Sequence, residues 1–314
     1  MAFDSLHVSA DHDTELATYH WHAAAPPRAA LVLIHGMAEH ARRYDAFAAH
    51  LAAAGIDTYA FDLRGHGATT MAVDHGYLGT SATWNTLVDD VERIRTHVMD
   101  SVGQRPVFLF GHSLGSFIAL RVLQKHGAHY AGAILSGTDT PNRMMCRLGA
   151  LVATLESARV DPTGSSALLQ RMTLGAYDVK LKKRLGMKVR KNAWITSNSP
   201  ALDAYEADPH CGFAMRTDTW RRLFKGMVRT HTPHARRRVP AHLPLMLVAG
   251  LDDPMGGFGR GPTRLARSLD NDGQRDIDLH LYADARHELL HEHIADTVTG
   301  DIRAWIERHL SAIR

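Results

Sequence analysis

The chain has 314 residues, of which 45% are hydrophobic and 22% charged, and its formal net charge is +3. That is an ordinary globular balance, ample for one large core plus an insertion, and a net charge this small does not point to nucleic acid. Two cysteines, Cys146 and Cys211, do not make a secreted disulfide framework, no run approaches the length of a membrane span, and Met1-Ala2-Phe3-Asp4-Ser5 has no basic-then-apolar leader pattern, so a reduced, cytoplasmic setting is expected.

In chain order, Leu6 to Val8 and Glu15 to Trp21 read as short strands separated by a turn at Asp11-His12-Asp13. Ala29 to Ile34 is wholly apolar, as a buried parallel strand should be, and runs into His35-Gly36-Met37-Ala38-Glu39-His40. A helix from about Arg43 to Ala54 precedes the next buried strand, Ile56 to Phe61, which leads into Asp62-Leu63-Arg64-Gly65-His66-Gly67. A long helix is expected over Ser81 to Val102, and a strand over Ala131 to Leu135. From residue 140 to 238 the pattern offers helical segments and loops without strand rhythm. Strand–helix order resumes with Leu245 to Ala249, a helix near Pro262 to Leu269, the strand Ile277 to Tyr282 and a final helix from Leu289 to His309. This alternation predicts an α/β protein: a mostly parallel sheet of eight strands with helices on both faces. Residues 1–139 and 239–314 form its core, and residues 140–238 a helical insertion.

The chemistry centres on Val107-Phe108-Leu109-Phe110-Gly111-His112-Ser113-Leu114-Gly115 and the helix-like run Ser116 to His126. Four apolar residues form a buried strand, and G-x-S-x-G turns it sharply into a helix. That context makes Ser113 a nucleophile-elbow serine: the glycines on either side leave room for neighbouring backbone, and the helix start places a positive dipole end near a developing oxyanion. A serine hydroxyl reacts only when a base removes its proton and a third group orients that base. The loops after the last two strands supply candidates. One is Gly250-Leu251-Asp252-Asp253-Pro254, with two carboxylates, and the other is Ala283-Asp284-Ala285-Arg286-His287-Glu288.

His287-Glu288-Leu289-Leu290-His291 also fits the zincin pattern H-E-x-x-H. His287 is expected to precede the helix rather than lie on it, and no third ligand is evident beyond His293. Neither a metal nor a cofactor is therefore expected.

Together the segments His35 to His40 with Arg43-Tyr44, Asp62 to Gly67, Gly111 to Gly115, Asp208-Pro209-His210-Cys211-Gly212-Phe213, Asp252 to Gly256 and Ala285 to Glu288 resemble the monoacylglycerol lipase and lysophospholipase branch of the α/β-hydrolases, which overlaps with serine-aminopeptidase-like names. The chain departs at Ser116, where relatives often carry glycine. The resemblance implies a triad of Ser113, Asp253 and His287, with Asp253 favoured over Asp252, and an oxyanion hole from the backbone N–H groups of Met37 and Leu114. It implies cleavage of carboxylic esters through an acyl-enzyme, with single-chain lipids as substrates. A peptidase or thioesterase would use the same triad. An idle ligand-binding module of this fold would normally have lost one of its members.

The resemblance also makes residues 140–238 a lid. That segment holds 19 Lys and Arg against 7 Asp and Glu, which leaves the remainder at 17 against 26. Its densest basic run, Lys180 to Lys191, reads first as a solvated helix face and second as a surface for anionic lipid. Met144, Met145, Leu148, Leu151, Val152 and Leu155 recur at helical spacing, a stripe expected chiefly to be buried core. Of these, Met144, Leu148 and Leu151, with His35 and Gly36, are candidate substrate contacts. Asp208 to Phe213 is assigned a structural role, and Arg64 and Glu39 only loop bracing. Nothing in the sequence addresses oligomeric state.

Overall fold

The computed structural model describes residues 3–11 and 13–312, so His12, at the centre of the expected turn Asp11-His12-Asp13, lies outside the described residues. Eight strands form one sheet: β1 Asp4–Ser9, β2 Glu15–Trp21, β3 Ala29–Ile34, β4 Ile56–Phe61, β5 Val107–His112, β6 Gly132–Ser136, β7 Leu245–Gly250 and β8 Ile277–Tyr282. Their order is β1-β2-β4-β3-β5-β6-β7-β8. β2 pairs antiparallel with both β1 and β4, and every other pairing is parallel. Every residue of β3, β4, β5, β6 and β7 is buried, which is why β3 and β7 read as unbroken apolar runs.

Register decides where chemistry can sit. Ile34 pairs with Gly111, His112 with Ser136, Ser136 with Val248 and Gly250 with Tyr282. The carboxyl ends of five neighbouring strands therefore lie along one edge of the sheet. The loops that leave them are distant in sequence but adjacent in space.

The helices are α1 Asp45–Ala53, α2 Trp84–Val102, α3 Leu114–His126, α4 Arg143–Val160, α5 Ala167–Met172, α6 Gly175–Leu185, α7 Ser199–Ala207, α8 Thr217–Thr230, α9 Pro233–Arg236, α10 Arg260–Asn271 and α11 Ala295–Ala312. α4 to α9 all lie between β6 and β7. Three boundaries differ from expectation for local reasons. The long helix α2 starts at Trp84 because Thr83 caps it and exchanges hydrogen bonds with Thr86 as a capping box. The helix expected from Arg43 opens as a 3-10 turn over Ala41–Tyr44 before α1 begins. The final helix does not run unbroken from Leu289: Leu289–His291 is a 3-10 turn, Glu292 is extended, and α11 starts at Ala295. The Glu292 carboxylate accepts the backbone N–H groups of Ser197 and Arg286, at 2.8 Å each, and this holds the chain out of helical geometry.

The apolar stripe of α4 is not core. Met144, Met145, Leu148, Leu151 and Leu155 are exposed and only Val152 of the stripe packs, half-buried, against the core, while Cys146, Ala150, Ala153 and Glu156 are buried. Small residues make the buried face because α8 packs close: a Cβ on Gly149 would lie 2.9 Å from the Phe224 ring. α8 is fastened in turn to the core. Gly226 leaves room for the Trp84 ring, which a Cβ there would meet at 2.1 Å, and the indole N–H of Trp84 donates to Thr230 Oγ1. Cys146 and Cys211 are free thiols. Side chains of the basic run Lys180 to Lys191 are largely exposed, with Leu181 buried beneath them.

Candidate active site

Ser113 sits between β5 and α3 with φ 51° and ψ −116°, a conformation that non-glycine residues rarely adopt. The surrounding glycines permit it. A Cβ at Gly111 would lie 2.4 Å from the Gly115 carbonyl, and one at Gly115 would lie 2.2 Å from the Ile34 carbonyl. α3 therefore begins immediately at Leu114 rather than at Ser116. The Ser116 hydroxyl donates to the Ser113 carbonyl at 2.6 Å, so the departure from glycine adds a clasp to the turn.

His287, in the loop after β8, is buried. Its Nδ1 lies 2.9 Å from Asp253 Oδ2. A carboxylate can only accept, so Nδ1 carries the proton and Nε2 presents a lone pair. Among the described residues Nε2 has no hydrogen-bond partner, and His287 fronts the same cavity as Ser113. Asp253 is fully buried, and its Oδ1 accepts the Met255 N–H at 2.8 Å. Its neighbour Asp252 turns away toward Arg184, so of the two carboxylates Asp253 meets the imidazole. Burial by itself would lower the His287 pKa, but Asp253, with Glu288 and Glu39 behind it, raises it above the ordinary value. His112, its ring tilted 4.8 Å from that of His287, is driven the other way by burial and by repulsion from His287 in its protonated form.

Gly36, Met37 and Leu114 line the cavity beside Ser113. Neither the Met37 nor the Leu114 backbone N–H finds an acceptor among the described residues, which leaves two donors at this end of the pocket. His35 does not reach the cavity. It is fully buried, and its Nε2 accepts the Leu63 N–H at 2.9 Å while Nδ1–H donates to the Gly36 carbonyl at 2.7 Å. Burial holds its pKa down at about 3, so it stays a neutral tie between two loops.

The cavity measures about 300 Å³. Its lining is mainly apolar and includes Leu148, Leu169, Met172, Trp194, Phe224 and Met227. Of the three candidate contacts on α4, only Leu148 lines it. Leu151 lies in an outer groove between α4 and α8, and Met144 points to solvent. Met145, one residue further on, does line the cavity.

Several contributors carried no sequence signal. The Trp194 ring lies 5.0 Å from His287, its carbonyl accepts the His287 N–H at 3.4 Å, and the Ile195 carbonyl accepts that of Glu288 at 2.8 Å. The insertion thus helps hold the histidine loop. Asp208 accepts from His40 at 2.9 Å, and Gly212 N–H donates to the Ala38 carbonyl, so Asp208 to Phe213 fastens the insertion to the Gly36–Met37 loop. Arg64 forms a two-toothed pair with Asp90 beneath the sheet edge. The H-E-x-x-H segment has no zincin geometry. Its residues are not helical, Glu288 is held by Arg43, and the two histidines point to Asp253 and to the Arg43 carbonyl.

Comparison with known proteins agrees with this architecture. The model of the serine aminopeptidase S33 family matches residues 25–294. The chain is 27% identical over 298 residues to a monoacylglycerol lipase of Mycolicibacterium smegmatis, covering 92% of each chain. It is 24% identical to the mouse monoglyceride lipase, covering 97% of this chain and 90% of that one. In structure it resembles a thermostable carboxyl esterase from Bacillus coagulans, with a TM-score of 0.87, 25% identity and 99% of each chain covered.

Proposed function

The chain belongs to the serine aminopeptidase S33 family, and from that premise we propose that it hydrolyses carboxylic esters through an acyl-enzyme, with single-chain lipids such as monoacylglycerols or lysophospholipids as substrates. Ser113 Oγ attacks the acyl carbonyl as His287 Nε2 takes its proton, and Asp253 holds the imidazole in the required tautomer. The tetrahedral oxyanion rests on the N–H groups of Met37 and Leu114, each worth about 3 kcal/mol of barrier. Collapse expels the alcohol, which receives the proton from His287. Water then loses a proton to His287 as it attacks the acyl-serine, and the acid leaves with Ser113 restored.

What supports this reading above all is one arrangement. Ser113 and His287 front one apolar cavity, with Asp253 on the far nitrogen of the imidazole. Esters are favoured over amino-terminal peptides by the state of the lining carboxylates. Glu39 and Glu288 are held by Arg43, and Asp139 lies 3.4 Å from Arg264, so each carboxylate among the described residues lining the cavity already faces a cation. Residues 140–238 serve as the lid. Its outer face combines exposed Leu151 and Leu155 with Arg147, Lys225 and Arg229, cations that have no carboxylate partner among the described residues. That combination suits peripheral contact with an anionic lipid surface. No described helix is long and apolar enough to cross a membrane.

Fluorophosphonate labelling tests the chemistry: wild type is labelled stoichiometrically and Ser113→Ala is not. An unlabelled wild type would favour an idle binding module. Substrate class is tested with acyl glycerols and lysophospholipids from acetyl to palmitoyl. Rising kcat/KM with chain length is expected, and preference for acetyl would refute a lipid pocket.

A further inference from the structure

Three buried charges beside the site have no part in the mechanism above. Glu39 is 2% exposed and Glu288 6%. Between them lies Arg43, whose Nη1 donates to Glu39 Oε2 at 2.7 Å and whose fork meets both oxygens of Glu288 at 2.8 and 2.6 Å. Glu39 Oε1 accepts the Gly36 N–H at 2.5 Å and the Tyr44 hydroxyl at 2.8 Å. His291 donates from Nε2 to the Arg43 carbonyl at 3.0 Å, and the Tyr205 ring of the insertion lies 4.9 Å from the guanidinium.

Such a cluster is a poor source of stability, because burying three ions costs about as much as, or more than, their attraction returns. Its connectivity is more telling. Glu39 grips the backbone N–H one residue before Met37, and Glu288 is the residue after His287. One guanidinium therefore binds, at the same time, the loop that carries the oxyanion donor and the loop that carries the base. Arg43 and Glu288 lie 245 residues apart in sequence, and the two loops leave non-adjacent strands, β3 and β8.

We infer that Arg43 is a positioning residue: with Glu39 and Glu288 it braces the Gly36–Met37 loop against the His287 loop and fixes the distance between oxyanion donor and imidazole. This rests on the roles proposed for Met37 and His287. Arginine suits the task because its planar fork serves two carboxylates at once, which a lysine ammonium on a flexible stem does not. Misplacement of reacting groups by about 1 Å costs on the order of 100-fold in rate, so the brace acts on kcat rather than on binding of the acyl chain, whose walls lie elsewhere in the cavity.

The experiment measures kcat and KM on a soluble ester for Arg43→Met, Arg43→Lys, Glu39→Ala and Glu39→Gln, each normalised to sites titrated by a fluorophosphonate. Arg43→Met should lose about 100-fold in kcat per site with KM changed by no more than about threefold, and Arg43→Lys should recover little. Glu39→Gln, which keeps an acceptor for the Gly36 N–H, should retain at least about tenfold more kcat than Glu39→Ala. A merely structural cluster would lower the titratable fraction and leave kcat per site at the wild-type value, and that result would overturn the brace. If Arg43→Met does not fold, equal kcat in the two Glu39 variants would overturn it instead. Ser113→Ala separates the levels: activity surviving in that variant sinks the serine mechanism, whereas its loss beside normal Arg43 variants sinks only the brace.

Discussion

The proposed reaction centre and the outer face of the insertion are built on opposite principles. At the strand ends nearly every polar group is matched: Asp253 to His287 and Met255, Glu39 to Gly36, Tyr44 and Arg43, His35 to Leu63 and Gly36. Among the described residues that line the cavity, His287 Nε2 and the N–H groups of Met37 and Leu114 are left without a partner; His66 Nε2 and Thr138 Oγ1, in loops that leave other strands of the sheet, are unpaired as well but do not line it. In a buried site an unpaired polar group is costly, so those left over mark where a reacting atom would complete the set. On α4 the imbalance is apolar instead. Leucines and methionines that a core would bury face outward, and small residues face inward. One region fixes geometry, while the other presents adaptable apolar surface, of which Met145 and Leu148 line the cavity.

The sharpest way to break this comparison is to exchange the two neighbouring aspartates. Asp253→Asn removes the acceptor that sets the His287 tautomer and should lower kcat by about 10⁴-fold. Asp252→Asn touches only a long contact to exposed Arg184 and should change kcat by less than about threefold. Steady-state kinetics on a soluble ester decide it, and comparable losses in the two variants would disprove the asymmetry of the matched region.

A smaller effect concerns pH. His287 is faced by Asp253, Glu288, Glu39, Arg43 and His112; burial lowers its pKa, but Asp253, Glu288 and Glu39 outweigh that and raise it above the ordinary 6.5. The base must be neutral to accept a proton, so kcat/KM should rise with pH along a limb centred above that value. The stability contribution of this group runs the other way. The protonated form is favoured in the folded state, so its contribution is complete below the unfolded pKa and is lost as pH rises through the folded one. A rate profile whose acid limb lies below pH 6.5 would contradict the electrostatics assigned to the site.

How much of this was legible in the sequence follows the same division. The strands β2, β3, β4 and β8 can be read to their terminal residues, because full burial or alternation leaves a local mark. The elbow is legible because Gly111 and Gly115 are demanded by sterics within five residues. The Glu39–Arg43–Glu288 cluster is not: each member is an ordinary charged residue until the sheet brings Glu288 beside Arg43. Trp194 and Ile195 contribute through backbone carbonyls, for which no side-chain pattern exists. The α4 stripe misleads for a physical reason. Helical periodicity of apolar residues shows that one face differs from the other, but not which face turns inward. Gly149, which leaves room for the Phe224 ring, and the buried Ala150 and Ala153 decide that question.

The smallest expected effects test that decision directly. Leu151→Ser and Leu155→Ser alter exposed side chains, so unfolding free energies should stay within about 0.5 kcal/mol of wild type. Ala153→Leu forces three extra carbons into the buried seam between α4 and α8 and should cost about 1–3 kcal/mol. Denaturant titration ranks the three, and a destabilised Leu151→Ser would return the stripe to the core. With stability unchanged, the serine variants also isolate the role proposed for the outer face. Hydrolysis of a soluble ester should match wild type, whereas hydrolysis of a lipid ester in anionic vesicles should fall severalfold, because each exposed leucine surrendered removes about 2 kcal/mol at most from insertion into the interface. Equal rates on vesicles would leave the apolar face of α4 without a function at the lipid surface, and the contrast between the two regions would then reduce to one of packing.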